Sequence, residues 1–146
     1  SDGYLADEVR LRPGGASFMS YGYNVWGGWA GKNPNTGLGV YKGDPIYGGA
    51  KASSVRVPTD MIAIGDSNWD LDQKGDRDWS GFIGMYAERQ WPLEVHAKRA
   101  NILFADGHVA GLPRTEMIAQ LVKDPSEKRR VARRWNRDHE PHVTAN

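Results

Sequence analysis

Two short apolar runs, Met61-Ile62-Ala63-Ile64-Gly65 and Asn101-Ile102-Leu103-Phe104-Ala105, stand between polar stretches. Runs of that length predict strands buried on both faces or packed beneath a helix, and these two are the candidates for adjacent central strands of one sheet. Asp106-Gly107 follows the second run as a two-residue turn, since Gly tolerates positive φ and Asp the left-handed region. His108-Val109-Ala110 then returns as the partner strand, with Ala105 opposite His108. Downstream the period changes. Met117, Ile118, Leu121 and Val122 fall at helical spacing and predict a helix over 113–122 with Thr115 as N-cap. Asp124-Pro125-Ser126-Glu127 starts a second helix over 125–135, with Asp as cap, Pro first, Glu third, and Val131 and Trp135 four apart on its apolar face. Ser53 or Ser54 caps a single helical turn that ends before Pro58.

The first third reads differently. Glycine (18) and proline (8) concentrate before residue 60, which predicts long loops with short strands. Phe18, Tyr21, Tyr23, Trp26 and Trp29 alternate there with Gly22, Gly27, Gly28 and Gly31. Aromatic bodies with polar tips fill a loop-rich core; the other reading is a glycan platform made by Tyr21, Tyr23, Trp26 and Trp29. Residues 81–91 predict a further strand or loop over the core, broken at Trp91-Pro92. Together the elements give an α+β fold: a small, mainly antiparallel sheet, long Gly and aromatic loops, and two short C-terminal helices. The 146 residues suit one domain, 1–146.

Four ordered blocks carry a resemblance. His96, nine intervening residues and Asp106-Gly107, around Asn-Ile-Leu-Phe-Ala-Asp-Gly-His-Val, resemble the prepilin-type His-x(9)-Asp-Gly domain of pseudopilin-like bacterial proteins. Ser20-Tyr21-Gly22-Tyr23-Asn24 is similar to that family's early element, residues 54–67 to its middle block, and residues 134–142 to its ending. The resemblance implies a pilin-like globular head, a structural and non-catalytic subunit of an extracellular or cell-envelope pseudopilus-like filament. Its partners would be further copies or other envelope pilin-like subunits. His96, Asp106, Gly107 and His108 would then be architecture, and residues 134–142 a lock for the C-terminus or part of a subunit contact. Family members begin with a basic leader and a long apolar helix. The chain here opens Ser1-Asp2-Gly3-Tyr4, so that helix, the expected route to the membrane, is expected to be missing from it.

Charge and candidate chemistry refine this expectation. A formal charge of +1 gives no global field toward nucleic acid, and zero cysteine excludes disulfides and thiolate metal sites. Residues 123–137 hold seven cationic and two acidic side chains, a local +5; residues 60–78 hold six Asp against Lys74 and Arg77, a local −4. Such opposed charges fit head-to-tail contact between subunits, with Arg129, Arg130, Arg133 and Arg134 meeting Asp70 and Asp72. No cofactor is implied, apart from calcium at Asp70, Asp72, Asp76 and Asp78. The helix-loop-helix calcium pattern fails there, with Lys74 at the fifth position and Gly81 at the twelfth.

Two further arrangements invite chemistry. His96, Asp106 and His108 suggest a metal or a general base, but an extended strand would hold His96 about 30 Å from Asp106. Gly65-Asp66-Ser67-Asn68 resembles the nucleophile block of one serine hydrolase class, with Ser67 as nucleophile; that class needs Asp and His three apart, and Asp106 and His108 are two apart. From a different class, a secreted module that binds glycans or anionic polymers is the alternative to the filament subunit.

Overall fold

The computed structural model describes residues 21–28, 36–39, 50–67, 83–85 and 88–143. Four strands form one antiparallel sheet in chain order: β1 (Tyr21–Tyr23), β2 (Ile62–Asp66), β3 (Ala100–Phe104) and β4 (Val109–Leu112). Among the described residues one α-helix, α1 (Pro125–Arg133), follows. The described residues form a small α+β domain. The two apolar runs are its adjacent central strands, β2 and β3, each within one residue of the expected bounds.

Alternation along β3 explains its orientation. Ala100, Ile102 and Phe104 are buried on one face, while Asn101 and Leu103 are only partly covered. Below that face lies the main core, made by Ile62, Ile83, Met85, Met117, Ile118, Val131, Ala132 and Trp135. Strand β2 is covered on its other side as well, where Met61 and Ala63 meet Leu38 in a second cluster. The pairing of β2 with β3 jumps from Ile62↔Phe104 to Ile64↔Leu103, so Ala63 is an extra residue, a bulge. Its carbonyl accepts the Asn24 N–H at 2.9 Å.

The β3–β4 turn has three residues rather than two. Leu103 pairs with Val109, and Phe104 N–H donates to the His108 carbonyl at 2.9 Å, so His108 faces Phe104 and not Ala105. The cause lies on the opposite side of the strand. Ala105 N–H donates to Met61 O at 2.9 Å and Asp106 N–H to Pro58 O at 3.2 Å, which draws both residues out of the ladder. Gly107, at φ +95°, then closes the loop.

The expected helix over 113–122 is instead two single 3₁₀ turns, Arg114–Glu116 and Ala119–Leu121, with Ile118 extended between them. Thr115 caps neither; Pro113 and Ile118 hold the capping positions without side-chain bonds. Met117, Ile118 and Ala119 are three consecutive buried residues. A helix repeating every 3.6 residues cannot bury such a run on one face. The second helix forms as its start signals require: Asp124 Oδ1 accepts the Glu127 N–H at 2.9 Å, and Pro125 takes the first position. It ends at Arg133, two residues short of Trp135. The Trp135 indole is fully buried and donates from Nε1 to the Met117 carbonyl at 2.6 Å. Upstream, the expected helical turn before Pro58 is the 3₁₀ turn Ala52–Ser54; Ser53 and Ser54 lie within it and do not cap it, and Lys51 holds the capping position without a side-chain bond. Among the described residues, no helix is long and apolar enough to cross a membrane.

Candidate functional site at the ends of the third strand

Strand β3 is closed by a reverse turn at each end, and the spacing His-x(9)-Asp-Gly measures that construction. Its nine intervening residues are the Ala97-Lys98 turn, Arg99, the five residues of β3 and Ala105. His96 and Arg99 exchange both backbone hydrogen bonds, each at 3.0 Å. Ala97 and Lys98 between them have φ of 50° and 62°, the sign that a two-residue hairpin of the primed class demands at both centres. Asp106 and Gly107 make the turn at the other end. His96 and Asp106 therefore stand a strand apart.

The Ala97-Lys98 turn folds residues 95–99 back on themselves, and what His96 meets is Asp66. Its Nε2 lies 3.5 Å from Asp66 Oδ2, with the imidazole half exposed and the carboxylate buried. The same Oδ2 accepts the Asn101 N–H at 2.7 Å, and the Asp66 carbonyl accepts the Leu93 N–H at 3.0 Å. Asp66 marks the end of β2, one residue past the last β2–β3 pair, Gly65↔Ile102. Its carboxylate satisfies a strand N–H that has lost its ladder partner, which is why a buried acid stands here.

At the far end, His108 Nδ1 lies 2.5 Å from Asp106 Oδ1, and the same oxygen accepts the His108 N–H at 3.1 Å. These two hydrogen bonds hold the Asp106 carboxyl below its ordinary range. The imidazole stacks on Phe104 with ring centroids 4.3 Å apart and planes 3° from parallel. Asp106 and His108 thus pair with each other, remote from Ser67. Ser67 is 2% exposed, and its hydroxyl has no hydrogen-bond partner among the described residues. The described residues do not assemble Ser67, Asp106 and His108 into one site. Nor do they contain any group of three His, Asp or Glu placed to hold a metal.

A second constellation joins the first and last sequence blocks. Asn24 donates from Nδ2 to Ile62 O at 2.8 Å and to Trp135 O at 3.0 Å, while its Oδ1 accepts the Gly27 N–H at 2.9 Å. Asn136 Oδ1 accepts from Gly28 N–H at 2.8 Å and from the Thr36 hydroxyl, and its Nδ2 donates to Ala132 O and Glu140 O. Both amides are buried. Arg137 N–H donates to Thr36 O, and the Arg137 carbonyl accepts the Arg56 N–H. The C-terminal segment is pinned further by His139, whose Nε2 is 2.9 Å from Asp60 Oδ2, and by His142, 2.7 Å from Asp138 Oδ2. Both histidines sit at positive φ, 57° and 44°.

The four arginines expected at a subunit contact divide into two pairs. Arg130 binds both Glu116 oxygens at 3.0 Å and Glu127 at 2.7 Å. Arg134 reaches Glu116 Oε2 and Asp60 Oδ1, each at 3.0 Å. Hydrogen bonding from Arg130 is the chief cause that holds the Glu116 carboxyl below its ordinary range. These two cations are neutralised within the chain, whereas Arg129 and Arg133 are exposed. Of the aromatic residues, Tyr21 is 56% exposed, while Tyr23 is half-buried, which pushes its phenol up. Trp26 is also half-buried. Trp29, Asp70, Asp72, Asp76 and Asp78 lie outside the described residues, and with them the calcium expectation.

Sequence reasoning passed over the polar hubs Asn24, Asp66, Glu116 and Asn136 as individual residues. A signal existed for the two asparagines, each of which directly follows an aromatic residue, Tyr23 or Trp135. A polar side chain in such surroundings is buried only with its hydrogen bonds made. Asp66 gave less sign of itself, being one of six aspartates in a run. No family model, curated protein or solved structure matches the chain.

Proposed function

We propose that the chain is the pilin-like globular head of a structural subunit, working in an extracellular or cell-envelope fibre of a bacterium and partnered by further copies or by other pilin-like subunits. One observation carries the reading. The residues of the resemblance are used up by architecture: His96 and Asp106-Gly107 bound the two turns of β3, and the early and late blocks meet through Asn24 and Asn136. A motif spent on turns and buried amides favours a role in which shape is the product. The tethered C-terminal segment suits a head that must hold its form at an exposed location.

The test is to shear fibres from cells that express the native gene and to look for the chain by mass spectrometry. The reading expects it in the sheared polymer, crosslinked to itself or to another pilin-like subunit after brief treatment with an amine-reactive linker. Recovery solely from the cytosolic fraction would overturn it.

A further inference from the structure

We propose that strand β4 is a pairing edge for the β4 of a second copy, joined antiparallel about a two-fold axis at Val109, an interface that goes beyond the fibre reading and does not depend on it. Strand β4 stands at an edge of the sheet, with β3 as its neighbour. In an antiparallel pair, alternate residues direct both backbone groups at the neighbouring strand, and the rest direct theirs away. The alternation is fixed twice here. Phe104 N–H donates to His108 O at 2.9 Å, so residues 108, 110 and 112 face β3. On the other side of β3, Asn101 N–H donates to Asp66 Oδ2 and Ala105 N–H to Met61 O, so the odd-numbered residues of that strand face β2. Val109 and Gly111 therefore turn their N–H and C=O groups outward.

Those outward groups are unequally covered. Arg99 crosses above Gly111, its Cδ 3.6 Å from where a Cβ would stand, and donates from Nη1 to the Gly111 carbonyl at 2.9 Å. The N–H and C=O of Val109 and the N–H of Gly111 have no hydrogen-bond partner among the described residues. Val109 thus keeps both a donor and an acceptor, and its apolar side chain is 64% exposed. Open sheet edges are ordinarily blunted by a charge, a proline or a bulge within the strand. Val109-Ala110-Gly111-Leu112 carries none of the three, and its register with β3 is unbroken.

Such an edge is complementary to itself. A two-fold axis at Val109 sets this residue opposite its own copy, where each N–H donates to the other's C=O and the two valines lie side by side. In that register the Gly111 carbonyl, held by Arg99, falls opposite the Gly107 N–H, which donates to Phe104 O at 2.9 Å. Both groups are satisfied within their own chain, so the absent bond leaves nothing unpaired. Pairing Val109 with Gly111 instead would call on the carbonyl that Arg99 already holds. The contact is isologous, so it closes on two copies and joins their sheets into one.

Hydrogen exchange at single amides, followed by NMR from dilute to concentrated chain alongside sedimentation, tests this. The Ala110 and Leu112 amides are protected throughout, whereas those of Val109 and Gly111 exchange freely in the dilute monomer and slow about tenfold as the dimer forms. Slow exchange of Val109 in the dilute monomer would show that the chain covers its own edge and would overturn the proposal. So would a chain that stays monomeric at about 1 mM. Val109→Lys sets two like charges side by side and weakens dimerisation about tenfold or more; dimerisation equal to the wild type overturns the proposal. A second variant makes the test independent of how that one folds. The chain has no cysteine, so Val109→Cys gives one thiol per copy. The Cα atoms of a hydrogen-bonded antiparallel pair stand about 5.5 Å apart, within disulfide reach. Under mild oxidation Val109→Cys crosslinks about tenfold faster than Leu121→Cys, a position outside β4 that is 44% exposed; equal rates overturn the proposal. A dimer from a chain absent from sheared fibres removes the fibre reading alone, and a chain found in those fibres without the dimer removes the edge pairing alone.

Discussion

Asn24 donates a 3.0 Å hydrogen bond to the main-chain oxygen of Trp135, across 111 residues of sequence. The same amide nitrogen donates to Ile62 O, so it faces two carbonyls in a buried site. Asn24→Asp would set an acceptor against both. The expected cost is about 3 kcal/mol, since a buried group loses its partners and gains repulsion. Asn136→Asp should cost a similar amount, because Asn136 Nδ2 also faces two carbonyls, of Ala132 and Glu140. Thermal melts showing either variant within about 0.5 kcal/mol of the wild type would mean that the two blocks are not joined by these amides.

Asp66 and His96 should respond unequally to truncation. Asp66→Ala leaves the Asn101 N–H without its acceptor at a part-buried position, a loss of about 2 kcal/mol. His96→Ala removes a 3.5 Å contact from a half-exposed imidazole, about 0.5 kcal/mol or less. Urea titration of the two variants compares them directly. Equal losses would show that the histidine does more than flank the end of β2.

These contrasts also show what could be read from the chain. The sheet was legible because 61–65 and 101–105 are apolar runs too short for helices, and α1 because Asp124, Pro125 and Glu127 act locally on its first turn. The register of the β3–β4 turn was not legible. It is set by the bonds of Ala105 to Met61 and Asp106 to Pro58, which couple residues more than 40 apart. Residues 113–122 failed for a related reason. Met117 and Ile118 sit at positions a helix would also favour, but the space between sheet and α1 takes Met117, Ile118 and Ala119 in succession. Tertiary packing overrode a four-residue period. The ends of β3 were recognisable as a motif, while the partner of His96 was hidden among aspartates that look alike in sequence.

Two glycines separate backbone strain from steric overlap. Gly107 has φ +95° with nothing within 4 Å of an added Cβ, so Gly107→Ala should cost about 1 kcal/mol through conformation alone. Gly37 is crowded instead: a Cβ there would lie 2.4 Å from both Gly27 N and Val25 O, which are backbone atoms. Gly37→Ala should cost about 3 kcal/mol. Melting curves that reverse this order would contradict the close approach of residues 25–27 to residue 37. Gly107→Asn should fall between wild type and Gly107→Ala, because Asn enters the left-handed region more easily.

Acid should loosen the domain through Glu116 and Asp138. Hydrogen bonds from Arg130 lower the Glu116 carboxyl against the opposing effect of burial, with the charges of Arg130 and Arg134 adding to them. For Asp138 burial acts upward as the largest single influence, but the Glu140 N–H and His142 together outweigh it. Both folded groups therefore release protons more readily than their unfolded counterparts, whose ordinary values are 4.5 and 3.8. Below those values the unfolded chain takes up protons first, so stability present at higher pH is lost as pH falls through the lowered folded values. Glu116 is 37% and Asp138 38% exposed, so solvent screening limits each contribution to about 1 kcal/mol or less. Tm should decline between about pH 5 and about pH 2, and Glu116→Gln/Asp138→Asn should flatten that decline. An unchanged slope in the double variant would assign acid sensitivity to other carboxylates, with Asp106, held low by His108, the next to replace.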